Sequence, residues 1–72
     1  MVMLDNIEIY ELRKALGMTA AQFGAKIGVT GNTVFRWEAE RPTKFPNRRH
    51  LTELNKLRDE AIKKGLLSVA AA

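Results

Sequence analysis

The 72-residue chain contains no cysteine, so it has neither a disulfide framework nor a thiolate metal site. Its single histidine, His50, rules out a His-rich metal site. Ser68 is the only serine, and the acids are spread along helix surfaces with no pair in a recognisable motif. No catalytic constellation therefore emerges, and the expectation is a protein that is not an enzyme and holds no cofactor or metal. No apolar run approaches the ~20 residues of a membrane span. Met1–Leu4 is too short for a signal peptide and lacks its basic start, so the expected location is the cytosol. The two prolines, Pro42 and Pro46, both fall in one short stretch. A chain this short reads as one domain, residues 1–72, near the small end of what a single core supports. A pocket of useful size is not expected in it.

What the chain does carry is positive charge and helical periodicity. Twelve Lys plus Arg oppose eight Asp plus Glu, a net +4 that suits a polyanionic partner. Residues 5–16 read as a first helix. Asp5 or Asn6 can cap it, Ile9, Leu12 and Leu16 share a face, Arg13 and Lys14 fall in its last turn, and Gly17 ends it. Ala20 to Ala39 holds two short helical patterns separated by Gly28. Thr19 and Gln22 form a capping box before the first, and Phe23 and Ile27 lie on one of its faces. Gly28 lets the chain turn sharply, Thr30 can cap the second pattern, and Val34 and Trp37 share its inner face. The Arg41–Asn47 stretch reads as a loop. From Pro46 to about residue 64, Leu51, Leu54, Leu57 or Arg58, and Ala61 keep a helical stripe up to Gly65.

Phe23, Gly24, Ile27, Gly28, Val29, Val34 and Trp37 form a pattern of apolar, small and glycine positions over some twenty residues. With Leu12-Arg13, Gly17-Met18-Thr19 and Arg36-Trp37-Glu38 on its flanks, it resembles the DNA-binding helix-turn-helix of the phage Cro and repressor type, also called XRE-like. The resemblance implies an all-α, lambda-repressor-like fold of four or five helices with the helix-turn-helix at its centre, and a bacterial or phage origin. The chain departs from the family at Gly24, usually Ala, which costs about 1 kcal/mol of helix propensity. It departs again at Ala20, often a Gln that touches DNA or braces a base-reading side chain.

With Val34 and Trp37 inward, Thr30, Gly31, Asn32, Phe35 and Arg36 are expected on the outer face, where the family meets the major groove. Asn can bond adenine, Arg can bond guanine, and an apolar ring can rest on a thymine methyl. Gly31 has no side chain to read with and serves either close backbone approach or spacing. Each residue also has a plainer role: Thr30 as a cap, Asn32 as a local backbone bonder, Arg36 in a surface pair with Glu40. Phe35 can instead pack on the 42–45 loop or in a dimer contact. Phosphate contacts are expected from Thr19 and Ala20 at a positive helix end, and from Thr33, Arg41, Lys44, Arg48 and Arg49. His50 is expected at the surface or facing a phosphate.

The expected function is sequence-specific binding of double-stranded DNA by a transcriptional repressor. A single reading helix spans few base pairs, so a homodimer on a palindromic operator is expected. Ile62, Leu66, Leu67 and Val69 offer it a surface, unless the leucines fold back on the first helix. The competing reading is an antitoxin that binds a toxin protein as well as its own operator.

Overall fold

The structure, a computed structural model, describes residues 4–41 and 45–67. Among them are four α-helices and no strand: α1 (Asn6–Ala15), α2 (Ala20–Ile27), α3 (Gly31–Glu38) and α4 (Arg48–Lys63). None of these helices is long and apolar enough to cross a membrane.

Local chemistry sets where each helix starts. Asp5, rather than Asn6, caps α1: its carboxylate accepts the Glu8 amide at 2.8 Å, and Glu8 accepts the Asp5 amide at 3.3 Å. Thr19 and Gln22 make the same reciprocal pair at the start of α2, at 3.1 and 3.0 Å. Two orphan amides are satisfied at each start. The long helix differs from the expected start at Pro46. Asn47 caps it, its side chain accepting the His50 amide at 2.9 Å while His50 Nδ1 accepts the Asn47 amide at 3.4 Å. Pro46 therefore stands outside the helix, and His50, half-buried at the surface, closes a capping box.

The turn between α2 and α3 depends on Gly28, whose φ of +97° suits a residue without Cβ. There the amides of Gly28 and Val29 both donate to the Gly24 carbonyl, at 2.7 and 2.8 Å. That bonding ends α2 and swings Thr30 into place as the cap of the next helix.

Ile9 and Leu12 of α1, Phe23 and Ile27 of α2, Val34 and Trp37 of α3, and Leu51, Leu54 and Ala61 of α4 are buried together. Leu4 and Ala20 join them, two positions that periodicity alone does not assign to the core. Full burial of a side chain such as Phe23 or Leu54 is worth roughly 1.5–3 kcal/mol. No polar or charged residue is buried among the described residues, so the interior is a plain apolar core. At the other end the two candidate dimer leucines part company. Leu67 packs against the core and Leu66 stays exposed, while Val69 lies outside the described residues.

Candidate nucleic-acid interface

The interface candidate is built on α3. Thr30 caps it, its hydroxyl accepting the Thr33 amide at 3.2 Å and lying 3.1 Å from the Thr33 hydroxyl. Val34 and Trp37 are buried, which turns Asn32, Phe35 and Arg36 to solvent. Eight residues make a rod about 12 Å long, close to the width of a DNA major groove of about 12 Å. Arg36 is exposed and forms no ion pair with any described residue, so the pairing with Glu40 is not made.

Gly31 requires a correction. It is half-buried, and a Cβ placed on it would lie 3.0 Å from Ala21 N and 3.3 Å from Ala20 C. Its missing side chain is thus directed at the first turn of α2, and lets the starts of α2 and α3 meet backbone to backbone. Gly24 does the same on the other side of the turn: a Cβ there would stand 2.6 Å from the Val29 carbonyl oxygen. Close approach therefore decides both positions. At Gly24 the gap is too narrow even for the alanine common in the resembling family.

The meeting of two helix starts has an electrostatic result. Neither first turn carries an acid, and the two positive dipole ends lie side by side. Thr19 is exposed at this point, whereas Ala20 is buried and can offer only its backbone. Thr33 is half-buried with its hydroxyl near Thr30. Arg41, Arg48 and Arg49 are all exposed, and Lys44 lies outside the described residues. Arg48 and Arg49 occupy a first turn that holds no acid. Cations at that end oppose the helix dipole by about 0.3–1 kcal/mol each at low salt.

Helix α3 is also fixed from behind by a contact that the spacing of residues does not reveal. Arg13 of α1 grips Glu38 with two bonds, Nε to Oε2 at 2.7 Å and Nη2 to Oε1 at 2.9 Å. A third bond runs from Nη1 to the Met18 carbonyl at 3.2 Å. The hydrogen bond to Glu38 pushes the Arg13 pKa further up, against the opposing effect of burial. The guanidinium also lies over the rings of Tyr10 and Phe35, 5.5 and 6.0 Å from their centroids. The two ends of the pair are 25 residues apart. The only sequence signal for them is that Arg13 and Glu38 both sit in the flanks typical of the resembling family.

Contrary to the expectation of no sizeable pocket, a cleft of about 310 Å³ lies between α3 and the start of α4. Thr33, Arg36 and Trp37 line one side, and Phe45, Asn47 and His50 the other. The His50 ring packs against Trp37 at 5.3 Å between centroids. Among the described residues of the lining, Arg36 and His50 are the only titratable groups and none is an acid.

A family model described as helix-turn-helix matches residues 9–45, which takes in α2, the turn and α3. No curated protein and no solved structure matches the chain.

Proposed function

The chain belongs to the helix-turn-helix family of the Cro and repressor type and is a DNA-binding transcription regulator, and we propose that it acts as a repressor whose α3 enters the major groove. The observation that carries this reading is the split of α3 into two faces. Val34 and Trp37 anchor it, while Asn32, Phe35 and Arg36 leave an amide, a ring and an unpaired guanidinium in solvent. A solvated helix face without function would be mostly charged filler. Asn32 and Arg36 read base edges, with Phe35 between them and Thr30 at the groove end; Gly31 supports the reading helix through its contact with α2. Around this face Thr19, the amides at Ala20, Thr33, Arg41, Lys44, Arg48 and Arg49 take phosphates, which set register more than sequence.

Two copies on a palindrome supply the discrimination that a single eight-residue helix lacks. Of the apolar residues expected to make that contact, Leu66 is exposed and Ile62 half-buried. An antitoxin would use the same DNA face, so co-purification of a toxin protein at fixed stoichiometry separates the two roles.

Selection of bound duplexes from a random pool, followed by titration of variants, tests the reading. Asn32→Ala and Arg36→Ala each lower affinity for the selected site by on the order of 1–3 kcal/mol and relax preference at one position. Equal losses on random DNA would assign both residues to the phosphates and defeat the reading.

A further inference from the structure

Phe35 is 59% exposed on the face of α3 that carries Asn32 and Arg36. It is the one large apolar side chain on that face, and its surroundings are unusual for a surface ring. Arg13 reaches across from α1 and sets its guanidinium over the ring at 6.0 Å. That guanidinium cannot swing away, because Glu38 and the Met18 carbonyl hold it with three hydrogen bonds. Its charge is taken up by Glu38, so it presents a flat plate and not a free cation. Tyr10 lies beneath the same plate at 5.5 Å.

A ring held in this way has limited options on DNA. Wedging between base pairs needs both faces of the ring free, and here Arg13 stands 6.0 Å over one of them, too near to admit a base between. What remains is the outer face and edge. An apolar surface offered to the floor of the major groove meets one apolar group there, the methyl on C5 of a pyrimidine.

We propose that Phe35, positioned by Arg13, makes the bound site favour a pyrimidine C5-methyl group at one position. The inference rests on the reading of α3 as the groove-entering helix. Two bases carry that methyl, thymine and 5-methylcytosine, and they present the same contact to the ring. Arg13 is a positioning residue: its guanidinium stands over the Phe35 ring, 6.0 Å from the centroid, and does not meet the base.

The test uses the full chain and synthetic duplexes. A site is first selected from a random pool. Each thymine of its half-site is then replaced singly by uracil, which removes only the methyl. At one position the wild-type protein loses about fourfold in affinity, the ratio corresponding to burial of one methyl group. Phe35→Ala binds the thymine and uracil duplexes equally at that position. Arg13→Lys keeps the charge but removes the plate, and it shrinks the thymine-to-uracil ratio in a protein shown by circular dichroism to be folded. In the second arm, cytosine replaces that thymine with guanine opposite, and 5-methylation of the cytosine restores about fourfold. If selection enriches no site, sequence-specific reading by α3 fails and this inference falls with it. If a site is enriched but every thymine tolerates uracil and no cytosine gains from methylation, this inference alone is overturned. It is overturned equally if Phe35→Ala retains the wild-type sensitivity.

Discussion

Replacing Glu38 by alanine should cost this domain a large part of its stability. The substitution removes both charge-assisted bonds to Arg13, at 2.7 and 2.9 Å, and leaves the guanidinium with the Met18 carbonyl at 3.2 Å. The pair is mostly shielded, with side-chain exposures of 11% and 7%. Breaking a buried ion pair from one side costs about 3–5 kcal/mol, because the surviving charge keeps its desolvation cost. Arg13 sits at the edge of the core and can regain some water, so the lower end, about 3 kcal/mol, applies here. At roughly 0.05–0.15 kcal/mol per residue, 72 residues supply in total roughly 4–11 kcal/mol. Urea unfolding can be followed by the fluorescence of Trp37, the single tryptophan, which is 2% exposed and sits against His50. With a slope of about 1 kcal/mol/M, the midpoint should fall by about 3 M. The paired replacement Arg13→Met with Glu38→Leu removes both charges together and should be nearly neutral. Glu38 raises the Arg13 pKa above a value that is already high, so this contribution is fully present below the unfolded pKa and is lost only as pH rises through the folded one. Between pH 7 and 9 the Arg13 contribution should therefore stay constant. If Arg13→Met and Glu38→Leu, made singly, add to give the double, with a coupling under about 0.5 kcal/mol, the claim that this pair ties α3 to α1 is refuted.

Gly24→Ala places a methyl 2.6 Å from the Val29 carbonyl, so a substitution that ordinarily favours a helix by about 1 kcal/mol should lower the melting temperature here. A raised melting temperature would show that the α2–α3 turn can open to admit the methyl. Arg48→Ala and Arg49→Ala should each weaken binding to all DNA sequences alike and flatten the dependence of log K on log salt by about 0.9. The same two substitutions should raise the stability of the free protein at low salt, since each removes a cation from the positive end of α4. An unchanged salt slope in both variants would take this turn out of the interface.

What is legible in the sequence is what is local. Capping residues and glycines act over a few positions, so they place the bounds of α1, α2 and α3 to within a residue. Apolar spacing likewise picks out nearly all of the core side chains. The start of α4 is harder to place because Pro46 and Asn47 are both good openers. Only the side-chain geometry shows His50 closing the cap on Asn47. Contacts across the fold are not legible. No spacing rule joins Arg13 to Glu38, and nothing in the residue type of Gly24 or Gly31 says that another backbone passes within reach of a methyl. Helical phase puts Gly31 on the outer face, but at the first position of α3 the approach to α2 overrides that phase.

All four helices open on a side chain that bonds an amide three residues ahead, at Asp5, Thr19, Thr30 and Asn47. None of these bonds has to wait for a distant part of the chain. The two shortest helices, each far below the length that persists alone in water, are also direct neighbours joined by a three-residue turn. A helical domain of this kind folds on a microsecond-to-millisecond timescale. An opening that releases Trp37 and Phe23 is then closed again before a second exposed chain is met at ordinary concentrations. The survival of this regulator against proteolysis should accordingly follow the fraction of molecules open at equilibrium rather than the rate at which they open.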